Sequence, residues 1–149
     1  MGLPPELNRR RSTLPGTAAA LRPLSVLPAI ATAAGVLGLL ALSVEAEAPR
    51  AAALAAGYGA LAGATATLRI ARPAMARPAS WFGTLFTAAL AVVGATGFGA
   101  VLVPALLLWM VALATAPRGS RPGRTPSLIA AWLGGLTGLC LAIGIAYLR

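Results

Sequence analysis

Long tracts without a charged side chain alternate along this chain with short segments rich in arginine and proline. Three of the tracts, residues 24–44, 51–68 and 127–148, have the length of one membrane-spanning helix, which is about 20 residues. An α-helix satisfies its own backbone hydrogen bonds, which is the condition for a segment that crosses hydrocarbon. Each of these tracts therefore predicts one transmembrane helix.

The remaining tract, residues 79–117, is 39 residues long and is too long for a single span. As one helix it would extend about 58 Å, whereas the hydrocarbon core of a bilayer is about 30 Å thick. Gly94, Gly97 and Gly99 lie near its middle, and glycine tolerates the positive φ that a tight turn needs. The tract thus predicts two helices joined in a hairpin through Gly97.

The predicted fold is all-α, an integral membrane bundle of five transmembrane helices in a single domain, with a bundle of four helices as the alternative. A basic tail over residues 1–23 precedes it. This tail contains four prolines and a triple arginine, so we expect it to be disordered and cytoplasmic. The five predicted helices cover residues 24–44, 51–68, 80–96, 99–116 and 127–148.

The arginines predict the topology. Cytoplasmic loops of membrane proteins carry an excess of positive charge. With five spans, ten of the twelve arginines lie on the cytoplasmic side, whereas with four spans the cluster at 118–124 moves outside. The rule favours five spans, with a cytoplasmic N-terminus and an outward-facing C-terminus. The arginines predicted to set this topology and to contact anionic lipid headgroups are Arg9, Arg10, Arg11, Arg69, Arg72, Arg77, Arg118, Arg121 and Arg124.

The composition is that of a membrane protein. Only 10% of the residues are charged, against roughly 25% in soluble domains. The net charge of +9 would suggest nucleic acid binding in a soluble protein, but no basic face is interleaved with stacking aromatic side chains, so no nucleic acid partner is expected. The chain has arginine but no lysine and is rich in Ala, Gly, Pro and Leu, which indicates a GC-rich coding sequence. We therefore expect a bacterial cytoplasmic membrane.

The predicted spans contain no Asp, Glu, Lys, Arg, His, Asn or Gln. Ionisable groups at membrane depth usually mark ion paths, proton relays or substrate sites. The whole chain has no histidine and one cysteine, Cys140, which removes most metal sites and the usual bases that activate a nucleophile. We therefore expect no catalytic residue, no metal and no cofactor, and the chain is not predicted to be an enzyme.

Small residues recur every four positions in the second and fifth predicted helices. Membrane helices gain contact energy when small side chains let their backbones approach closely. Each series contains one GxxxG pair, Gly59 with Gly63 and Gly134 with Gly138. The residues predicted to line helix–helix seams are Ala55, Gly59, Gly63, Gly134, Gly138 and Ala142.

Two residues of the fourth predicted helix carry expectations of their own. Trp109 follows three leucines, which predicts an anchor that faces lipid or a partner protein. Pro104 lies one turn into the predicted helix. Proline removes a backbone hydrogen bond, so a kink is expected there.

The function predicted from these features is that of a contact protein. A chain with no reactive group can still offer shape, which favours a non-catalytic accessory, stabilising or assembly subunit of a larger membrane complex. The lipid bilayer, including anionic lipids, and other membrane protein subunits are the expected partners. The alternative is a transporter or channel component whose path forms on oligomerisation, lined by threonine hydroxyls and free backbone near Pro104, because backbone carbonyls can select ions without charge.

Overall fold

The computed structural model of the protein describes residues 25–45, 49–95, 98–116 and 124–147. Within these ranges the regular structure is entirely helical, which confirms the predicted fold class at that level. The predicted tail over residues 1–23 lies outside the described residues. The five α-helices are α1 (Leu27–Glu45), α2 (Pro49–Ala71), α3 (Ala76–Val93), α4 (Val103–Ala114) and α5 (Arg124–Tyr147), with 3₁₀ turns at Pro73–Met75 and Gly99–Leu102.

Three of these helices are long and apolar enough to cross a membrane. They are α1, α2 and α5, with apolar spans over Leu27–Val44, Arg50–Ala71 and Thr125–Ile145. The apolar segment Gly99–Ala114, which includes α4, is shorter. Each charge-free tract therefore contains the helix or pair of helices predicted from it, but α2, α3 and α5 begin before their tracts and include Arg50, Arg77 and Arg124, respectively.

Helix α3 lies at the centre of the bundle. It packs against α2, α4 and α5, and its contact with α5 is the most extensive between any two helices described. Helix α1 lies on the far side, against α2 and α4. Half of the residues of α3 are buried, including Ser80, Thr84 and Thr87. Because these polar side chains face protein, α3 does not need the uniform apolarity of α1 or α5.

The turn between α3 and α4 requires glycine for close approach. Gly94 ends α3 with φ −84° and donates its N–H to the Leu90 carbonyl, so the positive φ predicted for this turn does not occur at Gly94. The Gly99 N–H donates to the Gly94 carbonyl at 2.6 Å. A Cβ on Gly99 would overlap the Ala91 carbonyl oxygen. Gly97, the predicted centre of the hairpin, lies outside the described residues.

The kink predicted at Pro104 is wrong. The backbone from Gly99 to Leu102 forms a 3₁₀ turn, and α4 begins only at Val103, whose N–H bonds to the Ala100 carbonyl. Pro104 thus lies in the first turn of α4. Proline is tolerated there because the N–H groups of a first helical turn have no partner within their own helix.

The small residues of α5 lie directly against the backbone of α3. A Cβ on Gly134 would overlap the Phe82 carbonyl oxygen, and a Cβ on Gly138 would lie 2.7 Å from the Phe86 carbonyl oxygen. Ala142, one turn further, is buried. The two backbones therefore approach as closely as glycine allows, which is the packing that the four-residue spacing predicts.

The small residues that recur every four positions on α2 do not all contact the same neighbour. Ala55 is buried in the core, and a Cβ on Gly59 would lie 3.1 Å from the Val36 side chain of α1. At Gly63 an added Cβ would meet no described atom within 4 Å, so the predicted tight seam is absent at this position. The reason is that α2 turns its large side chains, Leu54 and Tyr58, into the core, and Gly63 lies away from that face.

The close contact of Gly134 and Gly138 with the backbone of α3, which we call the α3–α5 seam, predicts opposite effects for neighbouring glycines of α5. Gly134→Ala and Gly138→Ala should lower the free energy of unfolding by about 1–3 kcal/mol each, since a methyl group has no space there. Gly135→Ala and Gly144→Ala are matched controls, because a Cβ at either position meets no atom of the described residues within 4 Å. These controls should leave stability unchanged or raise it by up to about 1 kcal/mol through helix propensity. Reversible unfolding in mixed detergent micelles measures all four, and equal losses in both pairs would contradict the seam.

Candidate functional site

Three helices bring polar and aromatic side chains together in the centre of the bundle. Tyr58 comes from α2, Thr84 and Thr87 from α3, and Trp109 from α4. Tyr58, Thr87 and Trp109 are fully buried, and Thr84 is 8% exposed. We call these four residues the central cluster. It is the strongest concentration of buried polar groups in the part of the chain that the structure describes.

Each large ring of the central cluster rests against a glycine of a neighbouring helix. The Trp109 indole lies on Gly83 of α3, where an added Cβ would come within 2.6 Å of two ring carbons. The Tyr58 ring lies on Gly35 of α1, where a Cβ would overlap ring atom Cε1. A bulky side chain on one helix therefore fills the space that the absence of a side chain leaves on the next, which maximises dispersion contacts.

Hydrogen bonds join the polar ends of the central cluster. The Thr87 Oγ1 donates to the Gly83 carbonyl at 2.8 Å and lies 3.3 Å from the Tyr58 hydroxyl. Because the single Thr87 proton is used on the carbonyl, the Tyr58 hydroxyl is the donor to Thr87. Thr84 shares its one hydroxyl proton between the Ser80 carbonyl at 2.8 Å and the Trp109 carbonyl at 3.3 Å. These bonds tie α3 to both α2 and α4.

A short column of aromatic rings extends from the central cluster toward α5. The Tyr58 and Phe86 rings stack with centroids 5.7 Å apart, and the Phe86 and Phe82 rings stack at 5.9 Å. Aromatic pairs of this kind contribute about 0.5–1.5 kcal/mol beyond their buried area. The carbonyls of Phe82 and Phe86 are the atoms on which α5 rests at Gly134 and Gly138, so the column links the centre of the bundle to the α3–α5 seam.

The central cluster contains no base that could activate a hydroxyl. The acids of the chain are Glu6, Glu45 and Glu47, and the sequence has no histidine, so α2, α3 and α4 carry neither a carboxylate nor an imidazole. The described residues also contain no group of three or more potential metal ligands. Outside the cluster, hydroxyls donate to carbonyls of their own helix three or four residues earlier, as at Thr32, Ser43, Thr65, Thr67, Ser80, Thr115 and Thr137.

The sequence context of Trp109 predicts a side chain that faces lipid or a partner protein. That prediction is wrong. The Trp109 side chain is fully buried, and its indole Nε1 makes no hydrogen bond within the described structure. Leu107 and Met110 are instead half exposed on the outer face of α4. Gly83 is the residue that makes room for the Trp109 ring. The sequence cannot show this pairing until it is known that α3 and α4 pack against each other at these two residues.

The predicted topology arginines have different surroundings. Arg72 is exposed and Arg77 is half-buried, whereas Arg69 is only 7% exposed. The Nη1 of Arg69 is fully buried and makes no hydrogen bond with the described residues. The sequence treats these residues as equivalent, so the special position of Arg69 was not predicted. Outside the described side chains lie Arg9, Arg10, Arg11, Arg118, Arg121 and Arg124, the last of which begins α5.

The turn of α2 that leads into Arg69 forms one wall of an apolar groove, which we call the groove beside Arg69, although Arg69 itself is not a lining residue. The groove has a volume of about 440 Å³ and lies between the end of α2 and the first turns of α3 and α5. Thr65 and Leu68 of α2 form one wall, and Phe82 of α3 lies across from them. Ile129 and Leu133 of α5 form the third side. The groove is therefore built where three helices meet at the arginine-rich end of the bundle.

Comparison of the chain with models of protein families, with curated proteins and with solved structures gave no match. The central cluster is closed and internally bonded, whereas the groove beside Arg69 is open.

Proposed function

We propose that this chain is a multi-pass integral membrane protein that crosses the bilayer five times and acts as a non-catalytic accessory, stabilising or assembly subunit of a larger membrane complex. The membrane is proposed to be the bacterial cytoplasmic membrane, with the N-terminus and the arginine-rich loops on the cytoplasmic side and the C-terminus outside. The single observation that carries this proposal is the distribution of polarity. Ser80, Thr84 and Thr87 are buried at the centre of the bundle, whereas many large apolar side chains are exposed on its outside.

The outer surface supports a lipid environment. Leu37 is 66% exposed, Val92 74% and Trp132 72%. Large apolar side chains are exposed along most of the length of α5, including Leu128, Leu136, Leu139 and Ile143. A contiguous apolar surface of this kind in water marks a membrane or protein contact, and lipid or a membrane partner would cover it.

We propose that α3 and the segment that contains α4 also cross the bilayer. The reasons are their lengths and the helices that surround them. Helix α3 has 18 residues and would rise about 27 Å, close to the hydrocarbon thickness of about 30 Å. A shortfall of a few ångströms is accommodated by local thinning of the bilayer. The polar residues of α3 are shielded by α2, α4 and α5, so they do not prevent the crossing.

A contact role fits the interior better than a transport role. The threonine hydroxyls that the alternative function would use as pore ligands donate to carbonyls of their own helices. The backbone near Pro104 forms a 3₁₀ turn with its own hydrogen bonds. A rigid interior and an extended outer face are what a stabilising subunit needs, because its work is done at the interface with its partner.

Single-cysteine labelling tests the five crossings. Cys140 is the only native cysteine, so Cys140→Ala gives an unreactive background and the negative control. In that background Ala95→Cys, in the α3–α4 turn, should react with a membrane-impermeant maleimide added to intact spheroplasts. Ser120→Cys, between α4 and α5, should react only after permeabilisation. Reaction of Ser120→Cys in intact spheroplasts would favour the four-helix alternative, and an unreactive Ala95→Cys would mean that the α3–α4 hairpin does not reach the outside.

Purification of the chain at its native expression level tests the contact role. In mild detergent we expect a hetero-complex of fixed stoichiometry, because the outer face of α5 would be covered by a membrane partner. Trp132→Ala should release much of that partner, whereas Leu107→Ala on the outer face of α4 is the matched control and should retain it. A homo-oligomer that passes solute when reconstituted into liposomes would instead establish the transport alternative.

A further inference from the structure

Arg69 is a buried cation with no counter-charge in the described structure. It is 7% exposed, and its Nη1 is fully buried without a hydrogen bond. A guanidinium does not lose its proton in proteins, and a buried charge is strongly unfavourable unless an opposite charge accompanies it. An anion close to the end of α2 would give the buried Nη1 an acceptor and would balance the charge of Arg69.

The acids that precede α2 in the sequence are too far from Arg69 to provide that anion. Glu45 ends α1, and Glu47 lies just before Pro49, the first residue of α2. Arg69 is 20 residues further along this continuous helix, a distance of about 30 Å along its axis. Glu6 is the one other acid of the chain and lies outside the described residues, so it enters the test below.

The apolar groove next to Arg69 has the properties of a hydrocarbon site. Thr65 lies one turn before Arg69 on α2, and Leu68 is its neighbour in sequence; both line the groove. Phe82 and Leu133 supply apolar walls from α3 and α5. The volume of about 440 Å³ is within the range of small-molecule pockets, roughly 300–1,000 Å³.

Further arginines lie close in the sequence to residues that line the groove. Arg77 immediately precedes Pro78, and Arg124 lies two residues before Pro126; both prolines line the groove. Arg72 lies in the connection between α2 and α3 and is exposed. An apolar groove whose lining residues have arginines as near neighbours in the sequence suits a molecule with a hydrocarbon chain and an anionic head.

We infer that this groove binds one anionic phospholipid, with an acyl chain against Leu68, Phe82 and Leu133 and the phosphate held by Arg69. Phosphate oxygens accept paired hydrogen bonds from a guanidinium, which makes arginine the side chain best suited to hold them. The net negative charge of the lipid would also balance the neighbouring arginines. This inference rests on the membrane location proposed above and adds to it a defined site with a defined ligand class.

The test uses the full chain purified in detergent and titrated with phosphatidylglycerol, with bound lipid counted by native mass spectrometry. Phosphatidylglycerol should bind at one molecule per chain and more tightly than phosphatidylcholine. Arg69→Gln should weaken its binding by about tenfold or more, the loss expected for charge-assisted hydrogen bonds. Ala130→Phe, which fills the groove without changing charge, should also weaken it. The exposed Arg72→Gln is the matched control and should have an effect of about fivefold or less, as for one surface charge.

Thermal unfolding in lipid-free detergent separates a binding role of Arg69 from a structural one. Arg69→Gln should unfold at the same temperature as the parent or at a higher one, because it removes a buried charge. A lower unfolding temperature for Arg69→Gln would mean that a group of the chain already pairs with Arg69. A lower unfolding temperature for Glu6→Gln would identify Glu6 as that group. Either result would overturn the inference. Equal binding of phosphatidylcholine, or binding of inorganic phosphate alone at the affinity of the lipid, would also overturn it.

The membrane location has its own control in this experiment. A chain that fractionates with membranes and resists extraction by high salt and carbonate, yet shows no preference for phosphatidylglycerol, would refute the lipid site alone. A chain that stays in solution without detergent would refute the proposed function, whatever its lipid binding.

Discussion

The structure depends on glycines that let helices approach one another at backbone distance. In lipid, the solvent proposed for this chain, burial of apolar surface between helices gains nothing from water, and association relies on contact and packing. The bundle obtains that contact in two ways. Large rings rest on glycines, as Trp109 does on Gly83 and Tyr58 on Gly35, and glycines rest on backbone, as Gly134 does on the Phe82 carbonyl.

Helix α3 connects these contacts into one unit. It provides Gly83 for the tryptophan of α4, the hydroxyl that accepts from Tyr58 of α2, and the carbonyls that support α5. Because α3 faces protein on several sides, it carries the polar side chains that the outer helices lack. The centre is thereby filled, and the surfaces available for recognition include the apolar outer face of α5 and the groove beside Arg69. The proposed subunit role and the proposed lipid site use these two surfaces, respectively.

The sequence predicted the helices well because their signal is local. Charge-free tracts and the Gly94–Gly99 segment depend only on neighbouring residues, and so does the spacing that places Gly134 and Gly138 in a seam. The failures concern which face of a helix meets which neighbour. Trp109 reads as a lipid anchor and Gly63 as a seam residue until the rotation of each helix is known. Likewise, Arg69 differs from Arg72 only through the packing of α2 against α3, and a kink at Pro104 depends on where α4 begins.

Nuclear Overhauser contacts of the Trp109 indole test the central claim most directly. In nanodiscs that contain protein with labelled tryptophan and glycine, the indole protons should show contacts to the Gly83 α-protons and none to lipid acyl chains. The Gly83 α-protons should also be shifted upfield by the ring that covers them. Strong contacts between the Trp109 ring and lipid acyl protons, with no contact to Gly83, would contradict the account, because the ring would then lie outside the bundle.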